Sequence, residues 1–147
     1  MAKNKAKNCE CCCGGVFEKP EEALMAFCIL AVASDGKLAR SEMDILYQMT
    51  ALSPLFAKVR DPKAFVACVA DTIGEKGRAA AMAGAAAILP PRLAETAYAW
   101  AAMMVASDGK TLSPEHSYLS GLRKALGLHG VLAGKINAVV PMLNRVK

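Results

Sequence analysis

The sequence predicts an all-α fold of seven or eight short helices, arranged as a pseudo-two-fold bundle of two related helical hairpins. Three observations lead there. Apolar residues recur at spacings of three and four between Pro and Gly breaks, strand-like alternation is hard to find, and one six-residue Asp-Gly-Lys segment occurs twice. The chain of 147 residues suits one domain that buries roughly two thirds of its unfolded surface.

Residues 1–19 combine lysines, asparagines, a cysteine cluster and Gly14-Gly15, the composition of a disordered tail, so the helical domain is expected over 20–147. Pro20-Glu21-Glu22 places a proline and two acids in a first helical turn, and the apolar run that follows ends at Asp35-Gly36. A second helix is expected from Arg40 to Ala51, with Met43, Leu46, Tyr47 and Thr50 on one face, broken by Ser53-Pro54. Asp61-Pro62 reads as N-cap and first residue of a third, carrying Phe65, Val66, Val69 and Ile73 and ending near Gly74 or Gly77. The Ala-rich stretch 79–89 would let helix backbones approach closely. Pro90-Pro91 restarts the chain into a helix reaching Ser107, and two more are expected over Ser113–Leu126 and Val131–Arg145, separated by Gly127-Leu128-His129-Gly130.

The apolar fraction of 54% is spread over short segments rich in Ala, Met and Leu. None approaches the ~20 apolar residues a spanning helix needs, and no signal or transit peptide is apparent, so a cytoplasmic protein is expected. The net charge of +5 is uneven: Lys3, Lys5 and Lys7 lie in the tail, and no acid follows Glu115. Such a basic end can contact acidic lipid or nucleic acid, but no aromatic residues are interleaved with it to stack on bases, and a solvated helical face explains it as well.

The repeat carries most of the functional information. Val32-Ala33-Ser34-Asp35-Gly36-Lys37 recurs unchanged as Val105-Ala106-Ser107-Asp108-Gly109-Lys110, and in each copy a Glu, Glu42 or Glu115, stands seven residues after the Asp. That spacing matches the second half of a calcium-binding EF-hand loop. The first half is missing, because Ala31 and Ala33, or Met104 and Ala106, stand where oxygen ligands would be needed, which excludes a true EF-hand. If the hairpins face one another, Asp35, Glu42, Asp108 and Glu115 would form one site of four carboxylates suited to Ca²⁺, Mg²⁺ or Mn²⁺. A plainer account makes Gly36 and Gly109 helix C-caps and the two Glu residues favourable first-turn charges, although it leaves two Asp residues opposing a helix dipole by roughly 0.3–1 kcal/mol each. An Asx turn or the adjacent Lys37 and Lys110 would answer that objection locally.

The segments Ala-Ser-Asp-Gly-Lys-Leu-Ala-Arg-Ser-Glu and Ala-Ser-Asp-Gly-Lys-Thr-Leu-Ser-Pro-Glu resemble the repeated motif of the tellurite-resistance TerB-like family, over roughly Glu21 to Leu143. The resemblance implies an all-helical, pseudo-symmetric domain associated with stress resistance, whose motif acids Asp35, Glu42, Asp108 and Glu115 hold a divalent metal. The chain departs from the family pattern in having Ser34 and Ser107 where Ala is usual.

Four of the six cysteines, Cys9, Cys11, Cys12 and Cys13, cluster beside lysines that favour the thiolate. Thiolates suit soft metals such as Cu(I) or Zn²⁺, but the spacing matches neither zinc-ribbon nor ferredoxin patterns. Capture of soft metals or metalloid oxyanions, reversible acylation and a tail without assigned role all remain open readings. Cys28 and Cys68 lie in apolar helical runs and are expected in the core, and no disulfide is required in a cytosolic setting. His116 and His129 have no recognisable partner, and neither a phosphate loop nor a nucleophile motif is present, so no enzymatic activity is expected. Two functions are left: a metal-binding resistance module, or a helical scaffold without metal that binds a protein partner through its acidic turns and faces membrane through its basic end.

Overall fold

The computed structural model describes residues 16–33, 38–106 and 113–143, with the side chains at 106, 113–116, 141 and 143 excepted. Among these residues there are seven α-helices, two short 3-10 turns and no strand. The helices are α1 (Pro20–Val32), α2 (Arg40–Leu52), α3 (Pro62–Lys76), α4 (Arg78–Ile88), α5 (Ala94–Ala106), α6 (Ser113–Leu126) and α7 (Gly130–Leu143), with 3-10 turns at Pro54–Phe56 and Pro91–Leu93. The helical class and the order of elements agree with the expectation from sequence. Pro90-Pro91 leads into a 3-10 turn before α5 begins, because the second proline fits a first turn but donates no backbone hydrogen bond.

Helix boundaries follow local chemistry. The Asp61 carboxylate accepts from the Ala64 N–H at 3.2 Å and caps α3. Gly77, at φ 89°, closes α3 and opens α4, a conformation that a side chain would strain. Gly127, at φ 67°, ends α6 as a Schellman turn: its N–H reaches the Lys124 carbonyl at 3.2 Å and the Leu128 N–H reaches Arg123 at 3.0 Å.

Helix α1 is the axis of the core. Every residue from Glu22 to Ala31 is buried, and its most extensive packing is against α5 and α4, with α3 and α6 completing the shell. A helix apolar on all sides is stable only when enclosed on all sides, and each fully buried Leu, Ile, Met or Phe contributes roughly 1.5–3 kcal/mol. The small side chains of α4 permit the close approach expected of that stretch: Ala81 and Ala85 are fully buried, and Val16 lies so near Gly84 that a Cβ built there would stand 2.7 Å from the valine's own. Phe17, only 4% exposed, joins the same core three residues ahead of α1.

On α2 the buried residues are Leu46, Met49 and Thr50, so Met49 joins the face expected from spacing while Met43 and Tyr47 are half-buried. Helix α7 stands apart. Its main neighbour is α5, toward which Ala133 and Val140 are buried, while Val131, Val139 and Met142 are more than half exposed. No helix among the described residues is long and apolar enough to cross a membrane.

Candidate functional site

The two copies of the repeated segment begin at the C-terminal ends of α1 and α5, the pair with the most extensive packing in the molecule. Asp35 and Asp108 lie outside the described residues, as does the side chain of Glu115 in the first turn of α6. Glu42 is the one expected metal ligand whose side chain is described. It sits in the first turn of α2, half-buried, where its Oε1 accepts from the Ala39 N–H at 2.8 Å. Ala39 has no side chain that could cap the helix, so Glu42 supplies the carboxylate half of a capping box. That bond turns the carboxylate back toward Ala39, the residue before α2. A carboxylate has two oxygens and about four acceptor directions, so the cap leaves Oε2 able to accept a cation or a second donor. Glu42 therefore fits both the role of cap and that of a hard oxygen ligand. Among the described residues no group of three or more His, Cys, Asp or Glu side chains stands together to hold a metal.

The start of α6 is tied to α1. The Tyr118 hydroxyl, buried, donates to the Phe27 carbonyl at 2.6 Å, and the Arg78 guanidinium stands 5.5 Å from the tyrosine ring centroid. Burial, with the Cys28 thiol adding to it and Arg78 opposing, holds the phenol well above its ordinary range, so it remains a donor. Tyr118 is three residues after Glu115, about 4.5 Å along a helix axis, and Phe27 is five residues before the end of α1, about 7.5 Å. The outgoing helix of the second copy thus lies alongside the helix that leads into the first.

Glu22 is 1% exposed, and among the described residues neither of its oxygens has a hydrogen-bond partner. Burial raises its pKa from 4.5 to about 7, against the charge and backbone of Lys19, which pull downward from outside hydrogen-bonding geometry. From sequence alone it is only a first-turn acid. Its deep burial is a tertiary effect, because α1 is enclosed from its first turn onward.

The cysteines divide. Cys28 is a free, fully buried thiol in α1, and burial pushes its pKa far above the ordinary range, so it is an inert core residue as expected. Cys68 is a correction: it is half-buried on α3 and disulfide-bonded rather than a core thiol. The reason lies in helical spacing. Val66, Val69, Thr72 and Ile73 form the buried face of α3, and Cys68, about 100° from Val69 and one turn before Thr72, stands at its edge. The other half of that disulfide lies outside the described residues, as do Cys9, Cys11, Cys12 and Cys13. His129 is exposed.

Sequence reasoning missed an apolar groove between α5 and α7, of about 510 Å³, lined by residues that include Trp100, Met103, Ile136 and Val139, with Lys135 at its edge. The signal was available in α7: across Gly130–Leu143 the only charged residue is Lys135. A smaller and more polar cavity of about 280 Å³ lies between α5, α6 and α7, where the Tyr98 hydroxyl meets Asn137 Oδ1 at 3.1 Å. Compared with known proteins, the chain matches no family model, no curated protein and no solved structure.

Proposed function

We propose that the protein is a non-enzymatic, divalent-cation-binding module of the TerB-like kind. In this reading Asp35, Glu42, Asp108 and Glu115 from the two Asp-Gly-Lys turns share one hard cation, Ca²⁺, Mg²⁺ or Mn²⁺. The segments α1–α2 and α5–α6 would then be pseudo-two-fold related halves of one site, although α2 packs chiefly on α3 whereas α6 packs on α5. The bound cation would neutralise carboxylates that otherwise repel one another and oppose two helix dipoles. Those of Cys9, Cys11, Cys12 and Cys13 not taken up by the disulfide of Cys68 would add soft-metal capture, which connects the module to metal or metalloid resistance.

The observation that carries this reading is the bond from Tyr118 to the Phe27 carbonyl. It holds the second turn of α6 beside α1, which favours a shared site, and the Glu42 carboxylate, bonded through Oε1 to the Ala39 N–H, stands at the start of α2. Calorimetric titration of the full chain with Ca²⁺, Mg²⁺ and Mn²⁺, alongside the double variant Asp35→Asn and Asp108→Asn, tests it. Saturable binding that disappears in the double variant is expected. Absence of binding to the unaltered chain would sink the proposal and leave Glu42 as a helix cap alone.

A further inference from the structure

The pairing of the cysteines leaves a remainder. Of the six, Cys28 is a free thiol buried in α1 and Cys68 is disulfide-bonded, so within one chain the partner of Cys68 is Cys9, Cys11, Cys12 or Cys13. Three of those four are then left over. Three sulfurs cannot all pair among themselves, so at least one stays a thiol, no more than four residues along the chain from the sulfur bonded to Cys68.

The described residues show where this cluster is tethered. Val16 lies against Gly84 of α4 and Phe17 is buried in the core, which anchors the chain at those positions. Cys13 is three residues before Val16 and Cys9 seven, spans of at most about 10 and 25 Å when extended. Helix α3, which carries Cys68, packs on α4. The tail sulfurs are therefore joined to the fold by short stretches of chain, and their encounters with one another are intramolecular, at effective concentrations on the order of millimolar.

Thiol–disulfide exchange requires a thiolate that can reach a disulfide sulfur. Lys3, Lys5 and Lys7 favour the thiolate, with Glu10 opposing them, and Cys9 and Cys12 stand at the C-x-x-C spacing of redox-active dithiols. Cys28 is fully buried and takes no part.

We propose that the disulfide of Cys68 is an exchangeable clip between the N-terminal segment and α3. The spare tail thiolate attacks the tail sulfur bonded to Cys68. A new S–S bond forms within residues 9–13 as the old one breaks, and the departing Cys68 sulfur takes up the proton that the attacking thiol released. One disulfide is present before and after, so the step consumes neither oxidant nor reductant. Attack on the Cys68 sulfur instead passes the clip from one tail cysteine to another with the same balance. The chain thus has a fastened and an unfastened form at one oxidation level. Cation binding at the Asp-Gly-Lys turns can fail without affecting this inference, which uses the cysteines alone.

The test follows Cys68 in the full chain, held without oxygen in buffer containing a chelator and trapped with excess N-ethylmaleimide before peptide mapping. Expected are two populations: one with Cys68 bonded to the tail, the other with Cys68 alkylated and a disulfide within residues 9–13. Fastened molecules isolated at pH 4, where thiolate is scarce, should regain the unfastened form on return to neutral pH, about tenfold faster at pH 7 than at pH 6. Four triple variants, each with three tail cysteines changed to Ser, have no spare thiol. Those that form the bond to Cys68 should keep it at every pH. Cys28 should resist alkylation throughout, which reports that the fold is intact. A bond to one tail cysteine that does not redistribute at pH 8 would overturn the proposal, as would Cys68 alkylated in every molecule. So would a bond found only between two chains, or an unfastened form that arises equally fast in the triple variants.

Discussion

Helices α1 and α7 are similar in composition and opposite in situation. Both are nearly free of charge beyond their first turn, yet α1 is enclosed by α3, α4, α5 and α6, whereas α7 packs chiefly on α5 and keeps an apolar stripe in solvent. Apolar character alone therefore does not determine whether a helix forms the centre of a core or an interaction surface. The number of neighbours that fold back over it does, and neighbours are a property of topology.

The sharpest way to break this comparison is to truncate one side chain in each helix. Phe27→Ala in α1 should lower the unfolding free energy by about 3–5 kcal/mol, whereas Met142→Ala in α7 should alter it by less than about 0.5 kcal/mol, read from urea denaturation. Equal losses would mean that the outer face of α7 is covered within the folded chain.

Next in size is the pH dependence that α1 acquires by enclosing Glu22. With its folded pKa raised to about 7 from 4.5, the carboxyl is protonated in both states at low pH and its burial then costs little. Between pH 4.5 and 7 the unfolded chain releases the proton before the native one, so stability falls through that window and levels off above it. The full effect is on the order of 2 kcal/mol after allowance for solvent screening at the first turn. Glu22→Gln should thus raise the melting temperature at pH 8 and leave it nearly unchanged at pH 4.5. A gain of the same size at both values would show that the carboxylate's charge is not the cause.

The smallest expected effect concerns the link between α6 and α1. Tyr118→Phe removes the donor to the Phe27 carbonyl but keeps the ring beneath Arg78, and should cost about 1 kcal/mol, measured by urea denaturation. If Tyr118→Phe also weakens cation binding at the turns, the link positions the second motif as well as stabilising the core.

Much of this architecture was legible before any coordinates. Proline, glycine and Asp61 mark where helices begin and end because they act through their own backbone or the next few N–H groups, and such local chemistry reads directly from sequence. Burial of Val66, Val69 and Ile73 followed from spacing for the same reason. What could not be read depends on which helices meet. Glu22 looks like an ordinary first-turn acid until α1 is known to be central, and Cys68 looks like a core residue until the buried face of α3 is fixed one residue away. The exposed stripe of α7 was hidden by the opposite ambiguity, since an apolar helix in a bundle is ordinarily assumed to be covered. Of the four motif acids, only the side chain of Glu42 falls within the described residues, and its bond to the Ala39 N–H shows the first-turn, helix-capping role that spacing had offered.

The contact of Val16 with Gly84, and the burial of Phe17 beside it, bear on how the molecule can be shortened without damage. A version starting at the helix-opening Pro20 would strip Val16 from the alanine-rich flank of α4 and the buried Phe17 from the core, uncovering a surface built to be touched. One starting at Val16 would discard the cysteine-rich segment and keep the seal, so comparing it with the Pro20 version tests the seal, and comparing it with the full chain tests the cysteines and the disulfide of Cys68 together.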